Sequence, residues 1–151
     1  MKRVMVVAFG VVCLAAAGVA YSAMSTSPYQ NADVIFGGGH AVVLGFDKTF
    51  SIGVKNGKGT IVRNGTVVGV TCATIEGNAA VMGGAWSIAG QNFFIEVVDN
   101  GLPSSGPAGD ETSPFLVDSG KPPKVCPSPS DFNPVELDTV DAGDITVHAK
   151  S

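Results

Sequence analysis

Ten of the thirteen acidic residues lie between Glu96 and Ser151, against only three basic ones, so this half concentrates the groups able to hold a cation. Asp138, Asp141 and Asp144 recur at every third position beside Gly143, in what reads as a glycine-containing loop. Asp99 with Asp110-Glu111 brackets a second turn region. Ca²⁺ needs roughly six to eight oxygens converging at ~2.4 Å, which such loops in an exported chain can supply. The spacing D-x-D-x-D-G of a dedicated calcium loop is absent, and acids at turns ordinarily serve solvation and capping. Ca²⁺ at Asp138, Asp141 and Asp144 is therefore the alternative expectation, and no other cofactor is expected. His40 and His148 are the two imidazoles, and neither belongs to an H-x-H or H-E-x-x-H pair, so surface or turn roles are expected rather than a zinc or copper centre. No G-x-S-x-G elbow supports a nucleophilic serine. Carboxylates for glycoside hydrolysis are present as residue types without a pairing signal. No catalytic residue is assigned, and a small secreted hydrolase ranks third among the readings. The glycine clusters do not form G-x-G-x-x-G before a helix, so a nucleotide site is not indicated.

The compartment follows from the other end of the chain. Lys2-Arg3 precede an apolar run from Val4 to Ala20, and the small residues Ala20, Ser22 and Ala23 follow. This is the charge, hydrophobic stretch and cleavage zone of a secretory signal peptide, residues 1–23. The run is short for ~30 Å of hydrocarbon and no basic flank closes it. The whole chain carries 9 Lys+Arg against 13 Asp+Glu in 151 residues, and losing Lys2 and Arg3 leaves 7 against 13. Such a balance argues against a nucleic-acid surface or an anionic-membrane patch, and no membrane insertion of the mature chain is expected. The expected location is exported: periplasmic, cell-surface or extracellular. Cys13 leaves with the leader, so Cys72 and Cys126 remain, and an even pair in an exported chain reads as one disulfide. Without a C-x-x-C, neither a redox pair nor a zinc knuckle is supported.

The elements that position these groups read as β-strands. Residues 24–33 are a polar, aperiodic lead-in, and residues 34–151 form a single domain. Val34-Ile35-Phe36 is expected to end at Gly37-Gly38-Gly39, with Ala41 to Phe46 following. Phe50, Ile52 and Val54 alternate with polar or small residues. Thr60 to Arg63 and Thr66 to Val70 are joined by Asn64-Gly65, the pair best suited to the positive φ angles of a type I′ hairpin. Asn56-Gly57 and Asp99-Asn100-Gly101 are turn candidates for the same reason. Ala79 to Met82 and Trp86 to Ala89 flank Gly83-Gly84, and Phe93 to Val98 reads as a central strand covered on both faces. Trp86 and the phenylalanines are too few and too apolar for a sugar platform, and Phe50, Phe93 and Phe94 are expected in the core. Pro103, Pro107 and Pro114 break regular structure, and Phe115 to Val117 is a short strand. Residues 118–134 hold five of the nine prolines and read as an irregular loop pinned by Cys126. At the end, Ile145, Val147 and Ala149 oppose Thr146, His148 and Lys150. With twenty glycines and no helical stripe, the fold class is all-β, with eight to nine short strands in a small sandwich or barrel. The pattern leaves the choice between them open.

Several blocks are similar to a known family. Gly37-Gly38-Gly39, Phe46 with the Phe50 to Val54 strand, Gly77-Asn78-Ala79-Ala80 before Val81-Met82-Gly83, Val97-Val98-Asp99-Asn100-Gly101-Leu102-Pro103, and Gly143 to His148 resemble, in order and spacing, the post-choice-of-anchor (post-COAP) domains of bacterial exported proteins. The resemblance implies a small all-β module without established catalytic residues. Two departures stand out: such domains are appendages of larger secreted proteins, and the proline-rich segment 118–134 is longer than the pattern needs. The expectation is a non-catalytic exported β-domain, a structural or interaction module at the cell envelope or outside the cell, whose partner is an unidentified protein or envelope component.

Overall fold

The structure, a computed structural model, describes residues 32–101, 109–134 and 136–151. The expected leader, most of the lead-in and the Pro103–Pro107 region lie outside the described residues. Nine strands follow in chain order: β1 (Val34–Val43), β2 (Phe46–Lys55), β3 (Lys58–Arg63), β4 (Thr66–Glu76), β5 (Ala79–Ala85), β6 (Gln91–Val98), β7 (Glu111–Thr112), β8 (Leu116–Ser119) and β9 (Asp138–His148). Strands β1 to β6 form an antiparallel meander. β7 pairs with β6 and with β9, and β9 returns to β1, closing an eight-strand barrel to which β8 adds along the first half of β6. The choice left open by the alternation is thus resolved in favour of the barrel, the arrangement that removes most free strand edges.

The inward positions are the apolar ones that recur every second residue. Ile52 and Val54 of β2, Ile61 of β3, Val68 and Val70 of β4, Met82 of β5, Phe93, Ile95 and Val97 of β6 and Ile145 of β9 are buried in one cluster. The side chains fill the barrel, and a residual interior void bounded by Phe50, Ile52, Ile61, Ile95 and Phe115 measures about 10 Å³. That is at the lower limit for one water.

Three local expectations are corrected. Gly37-Gly38-Gly39 does not end a strand, Gly83-Gly84 does not separate two strands, and Asp138, Asp141 and Asp144 do not sit in a loop. β1 and β5 run through their glycines, and β9 begins at Asp138. The physical reason is close approach of neighbouring backbone. A Cβ on Gly39 would be driven into the Ala142 carbonyl oxygen, and one on Gly84 into that of Gly69. Tightly curved strands need glycine there, so these glycines mark bends inside strands and not breaks between them. Asn64 (φ 47°) and Gly65 (φ 79°) both take positive φ, the geometry of a tight hairpin turn.

One extra residue in β4, Thr71, shifts its pairing with β5 between Val70 and Cys72. The bulge reverses the inward and outward phase, so Cys72 faces outward although Val68 and Val70 face the core. There it forms a disulfide with Cys126, 54 residues on, with Cα atoms 5.5 Å apart. The Thr71 hydroxyl donates to the Pro123 carbonyl (2.6 Å) and the Thr74 hydroxyl to that of Cys126 (2.9 Å), so the proline-rich segment lies across β4 and β5. Beneath it, Val81 packs with both cysteines, Phe94 and Phe132. β6 is therefore covered on both faces, and Glu96 on its outer side is only 6% exposed. A disulfide in this position is consistent with an oxidising, exported location. Among the described residues no helix is long and apolar enough to cross a membrane.

Candidate functional site

In an up-and-down meander the β1–β2, β3–β4 and β5–β6 connections fall at one end of the barrel. Inward alternation reaches that end on two cations. Lys48 precedes Phe50, Ile52 and Val54 at two-residue steps, and Arg63 follows Ile61 in the same way. Phe50 and Arg63 are direct cross-strand partners, so both cations belong to the inner face where it opens to solvent.

The floor between them is aromatic. β7 and β8 follow β6 with a one-residue offset, since Thr112 pairs with Val97 while Leu116 pairs with Phe94. The inserted residue turns Phe115 inward, where its ring meets Phe93 at 5.0 Å and Trp86 at 5.2 Å between centroids. Trp86 meets Phe93 edge-on at 6.1 Å. The guanidinium carbon of Arg63 lies 4.7 Å from the Phe115 ring centroid, and Lys48 Nζ lies 5.1 Å from that of Phe46. A cavity of about 340 Å³ opens here, bounded by Lys48, Arg63, Thr66, Trp86, Ser87 and Phe115 among others. That is within the range of small-molecule pockets, which begins near ~300 Å³.

Electrostatically the mouth is out of balance. Among the described residues no carboxylate lies within 4.0 Å of Lys48 or Arg63, and the two ion pairs that the described residues form both involve His40, which does not line the cavity. Burial pulls the Arg63 guanidinium below its ordinary value, yet arginine stays charged throughout the accessible pH range. The aromatic face offsets part of that burial through cation–π attraction. The rim is apolar: Leu44, Phe46, Val67 and Ile88, in or beside the three turns, each expose more than half of their surface.

The sequence-predicted residues fall elsewhere. Asp138 pairs with Thr112, Asp141 is the residue inserted where β9 shifts against β1, and Asp144 pairs with Gly38. At ~3.3 Å rise per strand residue, successive members are about 10 Å apart, so they do not converge on one ion. Among the described residues no group of three or more His, Cys, Asp or Glu is placed to hold a metal. Asp141 is engaged by His40, whose Nδ1 lies 2.6 Å from its Oδ1, and Asp47 approaches His40 Nε2 at 3.5 Å. The hydrogen bond to Asp141 is the main reason the His40 ring is held above its ordinary pKa. Alternation places this trio on the outer side of β1, since Ala41 and Val43 point inward.

Asp99, Asn100 and Gly101 belong to the opposite end, where they close the barrel. Asp110 is fully buried; its Oδ2 accepts from Ile145 N (2.6 Å) and its Oδ1 from Asn100 N (2.9 Å). Asp99 accepts from Val147 N (2.9 Å) and Gly101 N (2.8 Å), and the Asn100 amide donates to the Gly109 carbonyl. Cys72 and Cys126 are joined as expected.

Lys48, Arg63, Trp86 and Phe115 were not among the predicted site residues. The signal that finds the cations is parity: a charge at an inward position of an alternating strand, beside a turn. Trp86 and Phe115 carry no such signal, because their placement depends on the β5–β6 turn and on the one-residue insertion before β8. Comparison with known protein families, with characterised proteins and with solved structures finds no match to this chain.

Proposed function

We propose that this chain is a non-catalytic exported β-barrel that works by binding, with the turn-bearing mouth as its contact surface. The observation that carries the reading is the meeting of two cations, without carboxylate partners among the described residues, and a three-ring aromatic floor at the open end of an otherwise filled barrel. A filled interior leaves no room for a ligand to be engulfed, so recognition falls to the mouth and its apolar rim. Mouths of β-barrels are recurrent ligand sites, and a rigid closed scaffold lets short turns present fixed side chains. The resemblance to post-choice-of-anchor domains supports the same reading, since it implies an exported module without catalytic residues.

The test is a thermal-shift screen of the oxidised protein against small organic compounds, with hits mapped by amide NMR. Compounds that stabilise the fold and perturb Thr66, Trp86 and Ser87 are the expected result. Hits that map only to the opposite end, or a screen without any stabilising compound, would refute the proposal.

A further inference from the structure

We infer that the mouth takes an organic anion, its carboxylate or phosphate held between Arg63 and Lys48 and its flat apolar body lying against Trp86 and Phe115. The inference rests on the binding function proposed above and names the chemical class of the ligand. The chain has a formal net charge of −4, yet its two inward-facing strand-end cations converge on one cavity. Among the described residues neither cation has an acidic partner, and burying the Arg63 guanidinium in that state costs stability through desolvation. An anion relieves that cost. The Arg63 guanidinium carbon lies over the Phe115 ring, and planar oxyanions match the N–H edge of a guanidinium with two parallel hydrogen bonds. Thr66 and Ser87 line the same cavity, and their hydroxyls can complete the acceptor's coordination. The remaining lining is Asn64, Val68, Trp86 and Phe115, so an inorganic ion alone would leave the apolar part, Val68 with the two rings, unused. A single ring bearing one anionic group satisfies both halves.

Trp86 is the one tryptophan of the chain, so its fluorescence reports on this cavity directly. The oxidised protein is titrated with benzoate, phenyl phosphate, the neutral isostere benzamide, and inorganic phosphate. Saturable changes with benzoate or phenyl phosphate are expected, whichever is tighter identifying the preferred head group. Benzamide and inorganic phosphate should each bind at least roughly tenfold more weakly, the loss expected from one charge-assisted contact or from an unused stacking surface. Arg63→Gln should weaken the anion roughly tenfold or more, Lys48→Gln less, and Lys55→Gln, on the outer face of β2, not at all. Melting curves establish that each variant is folded, and Lys48→Gln carries the test if Arg63→Gln is not.

Benzamide binding as tightly as benzoate would overturn the anion assignment while leaving a binding mouth intact. Inorganic phosphate matching phenyl phosphate would overturn the role of the aromatic floor. Silence from all four probes, together with a failed thermal-shift screen, would remove the binding function itself; silence here with successful neutral hits at Trp86 would remove only the anion.

Discussion

Replacing Asp110 with alanine tests whether one buried carboxylate holds the barrel shut. Asp110 is fully buried in the short approach to β7, the two-residue strand that joins β6 to β9. Its two oxygens accept Ile145 N at 2.6 Å and Asn100 N at 2.9 Å, and its own carbonyl accepts Val140 N at 2.7 Å. A hydrogen bond to a charged group contributes ~1.5–3 kcal/mol, and removing the acceptor leaves the buried Ile145 N–H unsatisfied while the part-buried Asn100 N–H can turn to water. Two such bonds, the one to Asn100 at the low end because it is part-buried, place the cost of Asp110→Ala at about 3–5 kcal/mol, a large share of a stability of ~5–15 kcal/mol. For a domain of this size that lowers Tm by roughly 10–20 °C. Asp110→Asn keeps the shape and one acceptor but turns an NH₂ group toward a donor, so an intermediate loss is expected. Denaturant titration followed by circular dichroism, on oxidised protein, measures both, with exposed Asp118→Ala as the control expected to change stability by less than ~0.5 kcal/mol. A loss below ~1 kcal/mol for Asp110→Ala would refute the reasoning, because the seam would then be held by the strand ladders alone.

Reduction, or the Cys72→Ser/Cys126→Ser pair, should cost up to ~4 kcal/mol by the chain-entropy argument for a loop of 54 residues; denaturant midpoints with and without reductant measure it, and unchanged midpoints count against the staple. Burial, and secondarily the Glu111 carboxylate, raises the Glu96 carboxyl above the ordinary range. A raised acid loses stability as pH climbs from the unfolded to the folded pKa, so Glu96→Gln should raise Tm at neutral pH and the gain should vanish below about pH 4. The His40 ring is raised mainly by its bond to Asp141, so its contribution is fully present below the unfolded value and fades as pH passes the folded one. His40→Gln should therefore lower Tm more at pH near 5 than near 9, and an equal loss at both would contradict the ion pair.

Strand existence was legible where side chains alternate without interruption, as in Phe50-Ile52-Val54 and Ile145-Val147, and so was the Asn64-Gly65 turn. The disulfide followed from counting cysteines. Glycine runs misled, because the same residue that breaks a strand also permits two backbones to approach where a barrel bends. Gly37-Gly38-Gly39 reads as punctuation until β9 is known to lie against it. The acids of β9 misled similarly: a three-residue spacing suggests a loop of ligands, whereas on a strand it spreads them over two faces and about 20 Å. Closure into a barrel was not legible, since it depends on β9 meeting β1 across more than a hundred residues of sequence, a pairing that no local pattern records.

The inward cations also set the proposed binding end of this barrel apart from its stable end. At the closed end, Asp99 and Asp110 are charged groups whose acceptor capacity meets backbone donors, and they tighten the fold. At the open end, Lys48 and Arg63 have no carboxylate partner among the described residues and stand in positions where apolar side chains would continue the alternation. Leucine or methionine at either position would extend the core and remove a desolvation cost. A sequence shaped by stability alone would therefore not place two cations there. What such positions retain is the capacity to pair with an acceptor from outside the chain, which is the basis of the proposed anion site. An anion reaching the mouth would meet two cations against a low-dielectric aromatic floor, where each contact is stronger than at the open surface.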